Sequence, residues 1–253
     1  MNKKRLLTLM GNKEKTYVPN DISGLSLWLD FSDITKMFTD AGTTAVSSDA
    51  DKIYQINDKS GNNYHAVQTT EDNRPLYKVN VKNGLSAGLL DGTNDSMVLT
   101  SISLTSKSYS MFYSYNNNEG TPGVETSGGY LLDSQTGRFI VSAVDQNAGS
   151  SAKLSYYDGS WRYLADFING WQSNTFLFNT TLSSGTVYRN LINLGSASYT
   201  GKDISATTSI FSKYDGSVSF LKGHIGEIII YNKVLDTNEH IGITKYLLNK
   251  WGI

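Results

Sequence analysis

From Gly24 onward the chain alternates. Leu25, Leu27 and Leu29 are separated by Ser26, Trp28 and Asp30, a period of two that predicts a half-buried strand, with Trp28 supplying apolar surface on its other face. Similar short runs predict strands over 96–100, 108–115, 129–133, 138–144, 153–157, 162–168, 175–179, 186–193, 218–222 and 224–231. Turn signals punctuate them at Asp91-Gly92, Thr136-Gly137, Asp158-Gly159, Asn169-Gly170, Ser184-Gly185 and Asp215-Gly216. Short apolar runs broken by glycine turns describe a sandwich or barrel rather than βαβ units. One helix is readable at the C-terminus. Asp236 caps it, Glu239 stands three residues on as in a capping box, and Ile243, Leu247 and Trp251 recur along one face.

The first 20 residues break this pattern. Lys3, Lys4, Arg5, Lys13 and Lys15 crowd a stretch whose apolar content is Leu6, Leu7, Leu9 and Met10, and Pro19-Asn20-Asp21 ends it. It reads as an arm, either frayed or a docking peptide that orders on a partner, followed by one domain over 21–253. The apolar stretch from Leu6 to Met10 is shorter than the core of a secretion signal, and no run approaches the length needed to span a bilayer, so neither a signal nor a membrane partner is expected.

Composition narrows the classes. Among 253 residues, 22 Lys and Arg balance 23 Asp and Glu, which lacks the basic excess of a general nucleic-acid binder. Ser, Thr and Asn make up about 30% of the chain and 16 Tyr outnumber 9 Phe, a palette of half-buried strands and polar turns. With no Cys, disulfide frameworks, thiolate metal sites and cysteine nucleophiles are excluded.

Several segments carry a resemblance: 27–33 (LWLDFSD), 56–68 (INDKSGNNYHAVQ), 73–77 (NRPLY), 83–95 (NGLSAGLLDGTND), 226–235 (GEIIIYNKVL) and 246–253 (YLLNKWGI). In this order they resemble the concanavalin A-like, or laminin G-like, jelly-roll superfamily, over about 24–253. The two ends carry the specific matches, and 100–220 matches as a run of strands. Leu90 departs from the pattern, since relatives commonly carry Phe before the Asp-Gly turn. The resemblance implies an all-β sandwich of two antiparallel sheets, with the terminal segments meeting in one sheet.

Glucan hydrolases share that fold and place two carboxylates on one strand, flanking the scissile bond. Their Glu-x-Asp-x-x-Glu arrangement is absent here and Glu227 stands alone on its strand, so a structural role and no enzymatic activity are expected. His65, His224 and His240 are scattered, without metal-ligand spacing. Asp91, Asn94 and Asp95 gather oxygen ligands of the kind Ca²⁺ takes, with Asp30 and Asp33 near if the terminal segments pair; the alternative is an Asx-turn. No other cofactor is implied. The densest aromatic region holds Tyr156, Tyr157, Trp161, Tyr163 and Trp171 with Asp158, Asn169 and Gln172 between them. This is a candidate stacking platform for a glycan, although alternation sends half of the rings into the core.

Domains of this type without an enzyme signature occur widely in bacteriophage structural proteins, as the resemblance implies. The expectation is a non-enzymatic virion protein of a phage head or tail, with Lys3, Lys4, Arg5, Leu6, Leu7, Leu9 and Met10 docking to capsid or tail proteins. A homo-oligomer in the assembly and a host surface glycan complete the expected partners. The alternatives are a free carbohydrate-binding module or lectin, and a divergent glycan hydrolase.

Overall fold

A computed structural model of the chain describes residues 17–117, 129–145, 153–205 and 207–253. Its strands in chain order are β1 (Leu25–Asp30), β2 (Met37–Phe38), β3 (Gln55–Ile56), β4 (Ala66–Val67), β5 (Leu76–Lys82), β6 (Leu85–Asp91), β7 (Met97–Leu99), β8 (Tyr109–Asn116) and β9 (Gly129–Ser134). They continue with β10 (Phe139–Asp145), β11 (Lys153–Tyr157), β12 (Trp161–Asp166), β13 (Trp171–Asn179), β14 (Ser184–Arg189), β15 (Ile192–Ser198), β16 (Thr208–Ile210) and β17 (Lys222–Tyr231), and the helix α1 (Thr237–Trp251) closes the chain.

Two antiparallel sheets result. The first runs β15-β14-β13-β8-β17-β6-β5, with β1 also on β17; the second runs β12-β11-β10-β9-β16-β7-β4-β3-β2. Along one edge of β17, β6 pairs residues 222–225 and β1 pairs residues 227–231. The N- and C-terminal segments therefore meet in one sheet, as the resemblance implies.

The main core fills the space between the sheets, with Leu27, Leu29, Leu90, Tyr113, Phe139, Tyr156, Phe176, Phe178, Ile228 and Ile230 among its members. A second core lies on the outer face of the first sheet, where Trp28, Phe112, Ile229 and Tyr231 meet Ile243, Leu247 and Trp251 of α1. The β1 alternation thus serves two cores at once. The helix begins as its sequence dictates: Asp236 accepts from the amides of Asn238 and Glu239, Glu239 reaches back to the Asp236 amide, and Gly252 ends it in the left-handed region.

Four expectations need correction. Residues 218–222 form no strand; Ser219 has φ of 59° and the strand starts at Lys222. Residues 186–193 hold two strands, turned at Asn190 and Leu191, both with positive φ. Gly185 lies inside β14, where a Cβ would come within 2.6 Å of the Tyr156 hydroxyl, so this glycine serves packing rather than a turn. Residues 17–20, assigned above to the arm, pack on the domain. Pro19 is buried with its carbonyl held by the Tyr231 hydroxyl, and Tyr17 lies so close over Gly242 of α1 that a Cβ there would clash at 2.1 Å.

Candidate binding face

Leu154 and Tyr156 point into the core, so on β11 the alternation turns Ser155 and Tyr157 outward. Register carries that orientation to β12, where Trp161 pairs Tyr157 and Tyr163 pairs Ser155. The outer face of the second sheet therefore presents three neighbouring rings. Trp161 and Tyr163 stack at 6.0 Å and 11°, Tyr157 meets Trp161 edge-on at 5.5 Å, and Tyr130 of β9 backs Trp161 at 6.0 Å. Tyr163 is 40% exposed and Tyr157 and Trp161 are half-buried.

The same ladder row continues from Trp161 through Tyr157 and Ile140 to Asp133 and Ser209. Three strand spacings put Asp133 about 14 Å from Trp161. There Arg138 donates from Nε and Nη2 to the two Asp133 oxygens, each at 3.0 Å, and its guanidinium lies 5.2 Å over the Tyr214 ring. Burial pushes the Asp133 carboxyl up, with the Arg138 charge opposing. The row joins an aromatic platform to an oriented guanidinium, an arrangement that can stack on a sugar face and hydrogen-bond its hydroxyls.

The aromatic region does not act as one cluster, and two of its members are corrected. Tyr156 is fully buried, its hydroxyl donating to the Ala197 and Ser198 carbonyls and its ring packed edge-on against Phe178, so it offers no surface to a ligand. Trp171 belongs to the opposite side of the molecule. Its ring stacks on Trp251 of α1 at 4.9 Å, beside the second core. Tyr157 and Trp161 remain on the platform, which also takes in Tyr163, Tyr130, Arg138 and Tyr214. Arg138 and Tyr214 carry no local sequence signal, because 76 positions separate them in the chain.

The oxygen-rich turn is an Asx-turn. Asp91 Oδ1 accepts from the amides of Thr93, Asn94 and Asp95, and Asp95 Oδ2 accepts from the Asp91 amide. Backbone donors thus engage one oxygen of each carboxylate, as an Asx-turn does, and among the described residues no group of three acidic or His side chains is placed to hold a metal. Burial, with Asp91 nearby, pushes the Asp95 carboxyl up to about 7. Asp30 and Asp33 are engaged elsewhere, both with Lys59 at 2.8 Å.

Glu227 is less isolated than its sequence context implies, since Asp30 is its direct cross-strand partner. Its carboxylate is fully buried and accepts from Trp28 Nε1 at 2.8 Å, Trp251 Nε1 at 3.0 Å and the Tyr246 hydroxyl at 3.0 Å, with Lys250 Nζ at 2.9 Å. Lys250 also bonds both Asp30 oxygens at 2.9 Å. Burial and the Asp30 charge push Glu227 up, whereas Lys250 and Lys59 overcome burial and hold Asp30 down. A hydrolase needs its carboxylate pair on an open cleft; this pair is sealed beneath α1 and ties β1, β17 and the helix together.

The partner-docking residues Lys3, Lys4, Arg5, Leu6, Leu7, Leu9 and Met10 lie outside the described residues.

No protein-family model and no curated protein sequence matches the chain. Solved structures do match in fold. Domain 4 of AbnA, an extracellular arabinanase from Geobacillus stearothermophilus, in complex with arabinotriose, has a TM-score of 0.58 at 16% identity, covering 87% of this chain and 98% of that one. The sialidase of Trypanosoma rangeli has a TM-score of 0.56 at 12% identity over 95% of this chain and 36% of that one. The binding domain of botulinum neurotoxin DC, in complex with SialylT, has a TM-score of 0.54 at 15% identity over 85% of this chain and 52% of that one. The chain is a two-sheet antiparallel β-sandwich of the jelly-roll kind, an architecture it shares with these binding and glycosidase-associated domains.

Proposed function

We propose that this domain binds a glycan, without hydrolysing it, on the outer face of the second sheet. Tyr157, Trp161 and Tyr163 form the stacking platform, and Arg138, oriented by Asp133 and Tyr214, supplies hydrogen-bond donors further along the row. One observation carries the reading: three neighbouring rings face outward where the strand's own alternation already sends Leu154 and Tyr156 inward. The arabinotriose and SialylT held by two fold neighbours support it. The sealed Asp30–Glu227 pair supports a binding rather than a hydrolytic role.

A glycan array probed with the full chain tests this. Binding by the wild type that is lost in Trp161→Ala, with an unchanged melting temperature, is the expected result, because a half-exposed ring contributes stacking more than core packing. An array on which the wild type binds nothing sinks the proposal.

The finer placement, a phage virion protein anchored by its arm, rests on the resemblance to phage structural-protein domains and on the basic and apolar composition of residues 1–20. Tyr17 over Gly242 favours it, because it brings the chain in across α1, on the side of the sandwich opposite the aromatic platform. Deleting residues 1–16 is expected to leave the domain folded and keep it out of particles. Incorporation at normal copy number refutes the anchor.

A further inference from the structure

The inward rows of the first sheet are apolar over most of their length, with Phe176, Phe178 and Val187 in the core. Toward one end they turn polar. Gln172 pairs Tyr115, Asn174 pairs Tyr113, and on the other side Asn174 pairs Arg189. Tyr113, Gln172 and Asn174 are fully buried, and Arg189 is 9% exposed. Arg189 Nη2 donates to the Asp166 carbonyl at 2.7 Å, and Gln172 Nε2 to the Ile168 carbonyl at 2.7 Å. The Tyr113 hydroxyl, both ends of the Asn174 amide, Gln172 Oε1 and Arg189 Nε find no hydrogen-bond partner. The Asp166 carboxylate is no counter-charge in contact, since it turns to the surface and bonds Lys153 at 2.5 Å.

The unused groups beside the guanidinium include three kinds of donor: the Tyr113 O–H, the Asn174 NH₂ and the Arg189 Nε–H. Buried polar groups are ordinarily satisfied, and a buried cation ordinarily has an anion beside it. Water would satisfy the donors and leave the charge. We propose that this end of the sandwich interior binds one small monovalent anion, such as chloride, between Arg189, Tyr113 and Asn174. Burial of the guanidinium outweighs the Asp166 charge and pulls the Arg189 pKa down, which fits a cation whose charge is only partly offset within the fold. The anion strengthens the packing of β8, β13 and β14 near the Phe167 loop and is independent of the glycan platform on the other sheet.

The direct test is bromide substitution. Crystals of the full chain grown in sodium bromide should show an anomalous peak within hydrogen-bond distance of Arg189 Nε and the Tyr113 hydroxyl. In solution, replacing gluconate by chloride at constant ionic strength should raise Tm by about 3 °C once chloride reaches ten times its Kd. Arg189→Met should abolish that rise, and Tyr113→Phe, which keeps the ring, should weaken chloride binding severalfold. Water alone at the site overturns the proposal. So does a bromide peak with a Tm indifferent to chloride, which would mark an adventitious ion only.

Discussion

Replacing Lys250 by Met keeps the aliphatic stem and removes the cation shared by Asp30 and Glu227. At an effective dielectric of about 20, one ion contact at about 2.9 Å is worth roughly 6 kcal/mol before desolvation. Most of that is offset on burial, and deleting one partner of a buried pair costs about 3–5 kcal/mol. The lower end applies here. Lys250 is 20% exposed, Asp30 keeps Lys59 at 2.8 Å, and Glu227 keeps two indole N–H groups and a tyrosine hydroxyl. The expected loss at pH 7 is about 3 kcal/mol, or about 6–12 °C in Tm for a domain of this size. The loss depends on pH. Glu227 is already raised in the folded state, and without Lys250 it rises further. In the window between its unfolded and folded pKa the folded chain binds more protons, so stability falls as pH rises. Urea melts at pH 5 and pH 7 should therefore show a smaller deficit at pH 5. A deficit below about 1 kcal/mol at pH 7, or one equal at both pH values, refutes the reasoning.

Other perturbations follow from the same physics. Asp95, raised to about 7 by burial, makes the fold lose stability as pH climbs from about 4 to 7; Asp95→Asn should add about 2–4 kcal/mol at pH 8 and flatten that slope in pH-dependent urea melts. His240 is pulled down to about 4 by burial, so its contribution is present at pH 7 and lost as pH falls from about 6.5 to 4. His240→Leu should flatten that acid limb, and a Tm profile with an unchanged acid limb would contradict it. Tyr156→Ala should cost about 3–5 kcal/mol by opening a core cavity, in contrast to Trp161→Ala, and thermal melts of the two variants check the assignment of inward and outward rings.

The fold was largely legible because its signals are local. The β1 alternation, the Asp236 and Glu239 cap and the spacing of Ile243, Leu247 and Trp251 each lie within a few residues of one another. Short strands such as β2, β3 and β4 escaped because two residues carry no period, and the paired strands β5 and β6 because Asn80 and Asn83 interrupt them with positive φ. The platform was half legible. Both Tyr156 and Tyr157 are aromatic, so identity alone cannot assign faces; Leu154, two residues before Tyr156, is the signal that sends Tyr156 inward. Trp171 misled because nearness in sequence is not nearness in space: the chain crosses from the second sheet to the first between β12 and β13. The Asp30–Glu227–Lys250 cage joins residues 220 positions apart, and no spacing rule reaches across that distance.

The indole N–H signals of the four tryptophans report directly on where a glycan binds. Trp28 and Trp251 are bonded to Glu227 beneath α1, and Trp171 stacks on Trp251, whereas Trp161 stands on the outer face of the second sheet. In a ¹H–¹⁵N titration of the full chain with a glycan selected on the array, the Trp161 indole signal should shift progressively while those of Trp28, Trp171 and Trp251 stay in place. Shifts at Trp171 or Trp251 with Trp161 unmoved would put the ligand beside α1 and contradict the account.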